Sequence, residues 1–121
     1  MTKKRVLHIE ISSVEASLEQ FADTWEQAER GETVAPYHGV GFESMGQLLA
    51  TLTPKRWELI ERLRKEGPQT IYGLAKLLER NYKNVHTDVK ALLKIDIVQE
   101  TMDGKVEVPW DEIDAHLSLA A

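Results

Sequence analysis

Four histidines offer the first prospect of chemistry: His8, His38, His86 and His116. No two stand in the HxxxH or HExxH spacing that puts two imidazoles on one helical face. The chain has no cysteine, which removes thiolate metal sites and a disulfide framework. No serine sits in a GxSxG elbow. Gly39-Val40-Gly41 is too short for a dinucleotide loop and opens no βαβ unit. Asp111 and Glu112 read as the start of a surface helix, where carboxylates suit the positive end of the dipole. Pro36, Tyr37, His38 and Phe42 can line a small ligand pocket, although a loop packing its own aromatics is the simpler reading. No nucleophile, base and oxyanion site assemble. The residues therefore speak against an enzyme, and neither a cofactor nor a metal is expected.

The spacing that does suggest chemistry is cationic. In "NYKNVHTDVKALLK" (Asn81 to Lys94) the apolar residues make a narrow stripe, and the lysines avoid it. Advancing 100° per residue from Val85, Val89 and Leu92 fall within about 40° of it, with Leu93 on the margin. His86, Lys90, Lys83, Lys94 and Thr87 fall between about 100° and 200°, on the opposite side. Lysines there can neutralise phosphates, and release of the condensed counterions drives binding to a polyanion. Lys83, His86 and Thr87 come early enough in the helix to reach base edges. Asn84 stands to one side, suited to an adenine or a phosphate. Asn81 and Tyr82 lie at the entry, and Lys90 and Lys94 lie later, suited to the backbone. Asp88 borders the core side and reads as a structural partner for a nearby arginine or backbone N–H. A solvated surface is the plain alternative for the whole face.

Charge distribution favours the polyanion. The net charge is −5, but residues 53–94 hold 10 basic and 5 acidic side chains, whereas residues 95–121 hold 1 basic and 7 acidic. A basic middle between acidic flanks is the expected footprint of a nucleic-acid face. With 42% hydrophobic residues and no run of 18 apolar ones, the chain reads as a soluble domain without a membrane span. Lys3, Lys4 and Arg5 precede only a short apolar stretch interrupted by His8 and Glu10, so no signal peptide is expected and the default address is the cytoplasm.

The elements that must position this face follow from period and punctuation. "RVLHIEI" (Arg5 to Ile11) alternates as a strand. Ser12 or Ser13 caps a helix over about 13–30, with Val14, Leu18, Phe21, Ala22 and Trp25 at helical spacing. Residues 33–42 form a loop or broken strand, and residues 43–52 a short helix weakened by Gly46. Thr53-Pro54 starts a helix that Gly67-Pro68 ends. Thr70 caps a second, with Ile71, Leu74, Ala75 and Leu78 on one face. Glu79-Arg80-Asn81 is a tight connection to the third. Two strands, 97–100 and 105–108, make a hairpin about Asp103-Gly104. A final helix is predicted over "WDEIDAHLSLA", with Trp110, Ile113 and Leu117 on one side. The fold class is α+β, mainly α: an N-terminal strand-helix extension (1–52) followed by a winged helix-turn-helix (53–121). Lys105 is the wing's only cation among Glu100, Asp103 and Glu107. Lys55 and Arg56 open the first helix, where backbone contact and surface solubility explain them equally well.

The stretches "LTPKRWELI", "GPQTIYGLAKLL", "YKNVHTDVKAL" and "VPWDEI" resemble a family of small prokaryotic winged helix-turn-helix proteins, described as MarR-like transcriptional regulators. Some relatives stand beside toxin genes as candidate antitoxins. The resemblance covers Phe42 to Ile113 and implies binding to double-stranded DNA and regulation, with repression expected. Glu79 departs from it, since glycine is expected in that turn. Leu18, Phe21 and Trp25 lie in the extension, and burying each is worth about 1.5–3 kcal/mol. A homodimer is the favoured cover for them. An intramolecular cap and a toxin partner are the other two, and a winged domain used only for protein contacts is a third role for the chain.

Overall fold

A computed structural model describes residues 4–11, 38–117 and 119. The helix expected over about 13–30, and with it Leu18, Phe21 and Trp25, lies outside the described residues, as do Pro36 and Tyr37.

The described elements run β1 (Val6–Ile11), β2 (Gly39–Phe42), α1 (Met45–Thr51), α2 (Pro54–Glu66), α3 (Ile71–Leu78), α4 (Tyr82–Lys94), β3 (Gln99–Glu100), β4 (Val106–Glu107) and β5 (Glu112–Leu117). The protein is α+β. The helix starts follow hydroxyl and amide caps. Thr53 Oγ1 accepts from the Arg56 N–H at 3.3 Å, with Pro54 in the first turn, where a missing N–H costs nothing. Thr70 Oγ1 accepts from Gly73 N–H at 3.0 Å. Asn81 Oδ1 accepts from the N–H groups of Lys83 and Asn84 at 2.8 and 3.4 Å.

The helices bury one stripe each. Leu59, Ile60 and Leu63 of α2 meet Leu74 and Ala75 of α3 and Val85, Val89 and Leu92 of α4 in one core. Ile97, Val98, Val106, Val108 and Trp110 extend it. Each large side chain contributes about 1.5–3 kcal/mol by leaving water. The hairpin is shorter than predicted, two residues a strand, with Gly104 at φ 81° in its turn. Its β4 edge is also bonded on the far side. Val106 donates to the Gln69 carbonyl at 2.8 Å, and Gln69 N–H returns a bond to the Val106 carbonyl at 3.0 Å. The hairpin is thus held to the loop between α2 and α3.

The predicted last helix is a strand. β5 pairs parallel with β1, which lies between β2 and β5. Residues 112–117 satisfy both periods: Ile113 and Leu117 fit a helix, but Ile113, Ala115 and Leu117 also alternate with Glu112, Asp114 and His116. The chain's entry decides between them. Arg5 N–H donates to Asp111 Oδ2 at 2.9 Å, and the Arg5 carbonyl accepts from Asp111 N–H at 2.8 Å. That clamp lays the following residues along the open edge of β1. The sheet's inner face, Leu7, Ile9 and Ile11, is buried in the same core as the helices.

Candidate nucleic-acid interface

α4 is oriented by a charge cluster beneath it. Asp88 accepts from Arg56 Nε at 3.1 Å and from Arg80 Nη2 at 2.8 Å. Arg56 also donates to the Thr51 carbonyl at 2.8 Å. All three side chains are largely buried, with 14–19% of each exposed. One acid therefore joins the start of α2, the turn before α4 and the middle of α4. The structural role expected for Asp88 is the one it has.

The turn before α4 is a Schellman closure. Arg80 N–H reaches the Ala75 carbonyl and Glu79 N–H the Lys76 carbonyl, each at 3.1 Å. Glu79 occupies the left-handed position at φ 53°, ψ 44°, where glycine is usual. The geometry expected of the connection is retained, with an acid in the glycine's place.

On the outer side of α4, Lys83, Asn84, Thr87, Lys90 and Lys94 are exposed and His86 is half-buried. Among the described residues no carboxylate stands within ion-pair distance of Lys83, Lys90 or Lys94. Several cations elsewhere on the surface are paired: Lys4 with Glu112, Lys55 with Glu58, Arg62 with Glu66 and Arg64 with Asp111. Thr87 gives its hydroxyl proton to the Lys83 carbonyl at 3.0 Å and keeps its oxygen as an acceptor. Asn81 spends its amide oxygen on the cap, which leaves only its NH₂ facing outward chemistry.

The patch is wider than the sequence suggested. Tyr82, exposed at the head of α4, packs at a tilt against His86 at 5.8 Å and against Tyr72 of α3 at 6.4 Å between ring centroids. Lys76 lies over the Tyr72 ring at 4.8 Å. Tyr72 and Lys76 are four residues apart on one face of α3, a signal that the sequence did carry. Lys105 faces away from such a role, since Asp103 lies 3.8 Å from it. Asp103 in turn accepts from the Thr101 hydroxyl, which holds its carboxyl below the usual range.

Asp111 and Glu112 form no helix start. Asp111 accepts from Arg5 N–H and from Arg64 Nη2 at 2.8 Å, and these two bonds lower its pKa. Glu112 pairs with Lys4 at 2.8 Å and raises that amine's pKa. His38 packs at a tilt against Trp110 at 5.2 Å and Phe42 is buried in the core, so both are used in packing. Among the described residues no group of three or more metal-ligating side chains converges. No helix among them is long and apolar enough to cross a membrane.

The fold and this surface define a small α+β protein with a rigidly mounted basic helix. The HVO_A0114 family model matches residues 51–115, more than half of the chain, and the protein belongs to that family. No curated protein and no solved structure matches it.

Proposed function

We propose that the protein binds double-stranded DNA as a sequence-specific transcriptional regulator, a repressor, with α4 as the recognition helix of a winged helix-turn-helix. The carrying observation is the row Lys83, Lys90 and Lys94, unneutralised on one side of a helix while most other surface cations have acids beside them. Unpaired cations in register with a groove exchange condensed counterions for phosphates, and that exchange drives association. The order of three helices and a hairpin supports the reading, as does the three-residue turn before α4. Tyr72, Tyr82 and His86 add an exposed aromatic and imidazole edge where the N-terminal turns approach bases.

Selection of bound sequences from random DNA, followed by fluorescence anisotropy on the winner, tests this. Binding is expected to fall steeply with salt and to vanish in Lys83→Glu/Lys90→Glu while the circular dichroism spectrum is unchanged. Unaltered binding by that variant would sink the assignment.

One observation favours a second reading, a winged domain that contacts only protein. Lys105 is neutralised by Asp103, and the hairpin otherwise carries Glu100 and Glu107. That reading predicts no salt-sensitive affinity for any duplex.

A further inference from the structure

β5 is a sheet edge with an unusual profile. It pairs with β1 on one side and with no described strand on the other. Six residues long, it contains no proline and no lysine, the usual protections of an exposed edge. Its two acids are answered within the chain, Glu112 by Lys4 at 2.8 Å and Asp114 by His8 at 3.6 Å. The opposite edge, β2, is four residues long and holds two glycines.

The hydrogen-bond parity of β5 can be assigned. Arg5 directs its carbonyl to Glu112 N–H, and His8 directs its N–H to the His38 carbonyl beside β2. Odd residues of β1 therefore bond towards β5, and Glu112, Asp114 and His116 bond back. Ile113, Ala115 and Leu117 point their N–H and C=O groups away from β1, towards the side where no described strand lies. Their side chains lie on the same face as Leu7, Ile9 and Ile11, their register partners. Ala115 is exposed, and Leu117 is 40% exposed.

We propose that β5 pairs antiparallel with β5 of a second copy of this chain, about a two-fold axis at Ala115. Outward groups must meet outward groups, which allows only alternate registers. The register centred on Asp114 sets that carboxylate against itself. Centring on Ala115 sets Ile113 against Leu117 on the apolar face and Asp114 against His116 on the polar face. Like charges opposite each other destabilise a ladder, while opposite-charge and apolar pairs each stabilise it. Ile113, Ala115 and Leu117 then form the hydrogen-bonded pairs. Asp114 and His116 form the closer, non-bonded ones. The two three-stranded sheets become one six-stranded sheet, and the interface is isologous, as a two-fold dimer requires. Nothing in this depends on DNA binding.

The full chain is tested by light scattering across a concentration series and by cross-linking. Twice the chain mass is expected. Ala115→Pro removes an N–H that makes no bond among the described residues of one copy, so it is expected to keep the circular dichroism spectrum and lose the dimer. The chain has no cysteine, so any disulfide reports the introduced position. Residues facing each other in a hydrogen-bonded pair stand about 5.5 Å apart at Cα, within the disulfide range. Ala115→Cys is therefore expected to cross-link on mild oxidation. Leu117→Cys, opposite Ile113, is expected not to. A single-chain mass at every concentration overturns the proposal. So does a dimer that survives Ala115→Pro, or equal cross-linking at both positions.

Discussion

Arg56 donates through Nε to Asp88 at 3.1 Å across 32 residues of chain, and this bond mounts the basic helix on the start of α2. Arg80 completes the mount from the turn. Two guanidiniums on one carboxylate leave a local positive excess directly behind the row of lysines, and Arg80 Nη1 is buried without a partner. Removing the acid leaves both guanidiniums largely desolvated and unanswered. Asp88→Ala is expected to lower stability by about 2–4 kcal/mol, measured by urea denaturation. A loss below that of ordinary surface substitutions would show that the cluster does not hold α4.

Lys90 and Lys94 are expected to act through phosphates and not through bases. Replacing Lys90 or Lys94 singly by Ala should weaken binding to all duplexes about equally and reduce the salt slope by about 1. Lys83→Ala should do the same and in addition shift sequence preference, because it stands in the first turn. Titrations of specific and random duplexes at several salt concentrations distinguish the two patterns.

Glu79 sits where a side chain strains the backbone. Glu79→Gly relieves a left-handed cost of about 1–2 kcal/mol and returns part of it as unfolded-state freedom. A net gain of about 0.5–1 kcal/mol is expected by denaturation, together with tighter DNA binding from loss of an acid beside the patch. A destabilised variant would mean that the carboxylate makes a contribution beyond its backbone position.

Asp111 links pH to the clamp on the chain's entry. Its folded pKa is depressed by the Arg5 N–H and by Arg64. The stability it supplies is therefore present above the ordinary aspartate range and is lost as pH falls through the lower folded value. Asp111→Asn is expected to be less stable than the parent at neutral pH and to converge on it in acid, as followed by thermal melts over a pH series. Parallel pH curves for the two proteins would contradict the assignment.

Local chemistry made much of this molecule readable. Caps at Thr53 and Thr70, the stop at Gly67, the turn at Gly104, and the stripes of α2, α3 and α4 are properties of neighbouring residues, and the structure keeps each. The outward side of α4 was legible for the same reason, since a helix with one apolar stripe has only one way to face a core. Residues 110–117 were not legible, because their apolar spacing satisfies both a helix and a strand. Tertiary structure decided there. The open edge of β1 and the Arg5–Asp111 clamp reward an extended chain with hydrogen bonds that no local pattern announces. The same holds for Asp88, whose partners lie 32 and 8 residues away, and for Tyr72 and Tyr82, which meet only because the turn at Glu79 brings their helices together. Sequence settles what neighbours in the chain can satisfy among themselves, and long-range hydrogen bonds and burial settle the remainder.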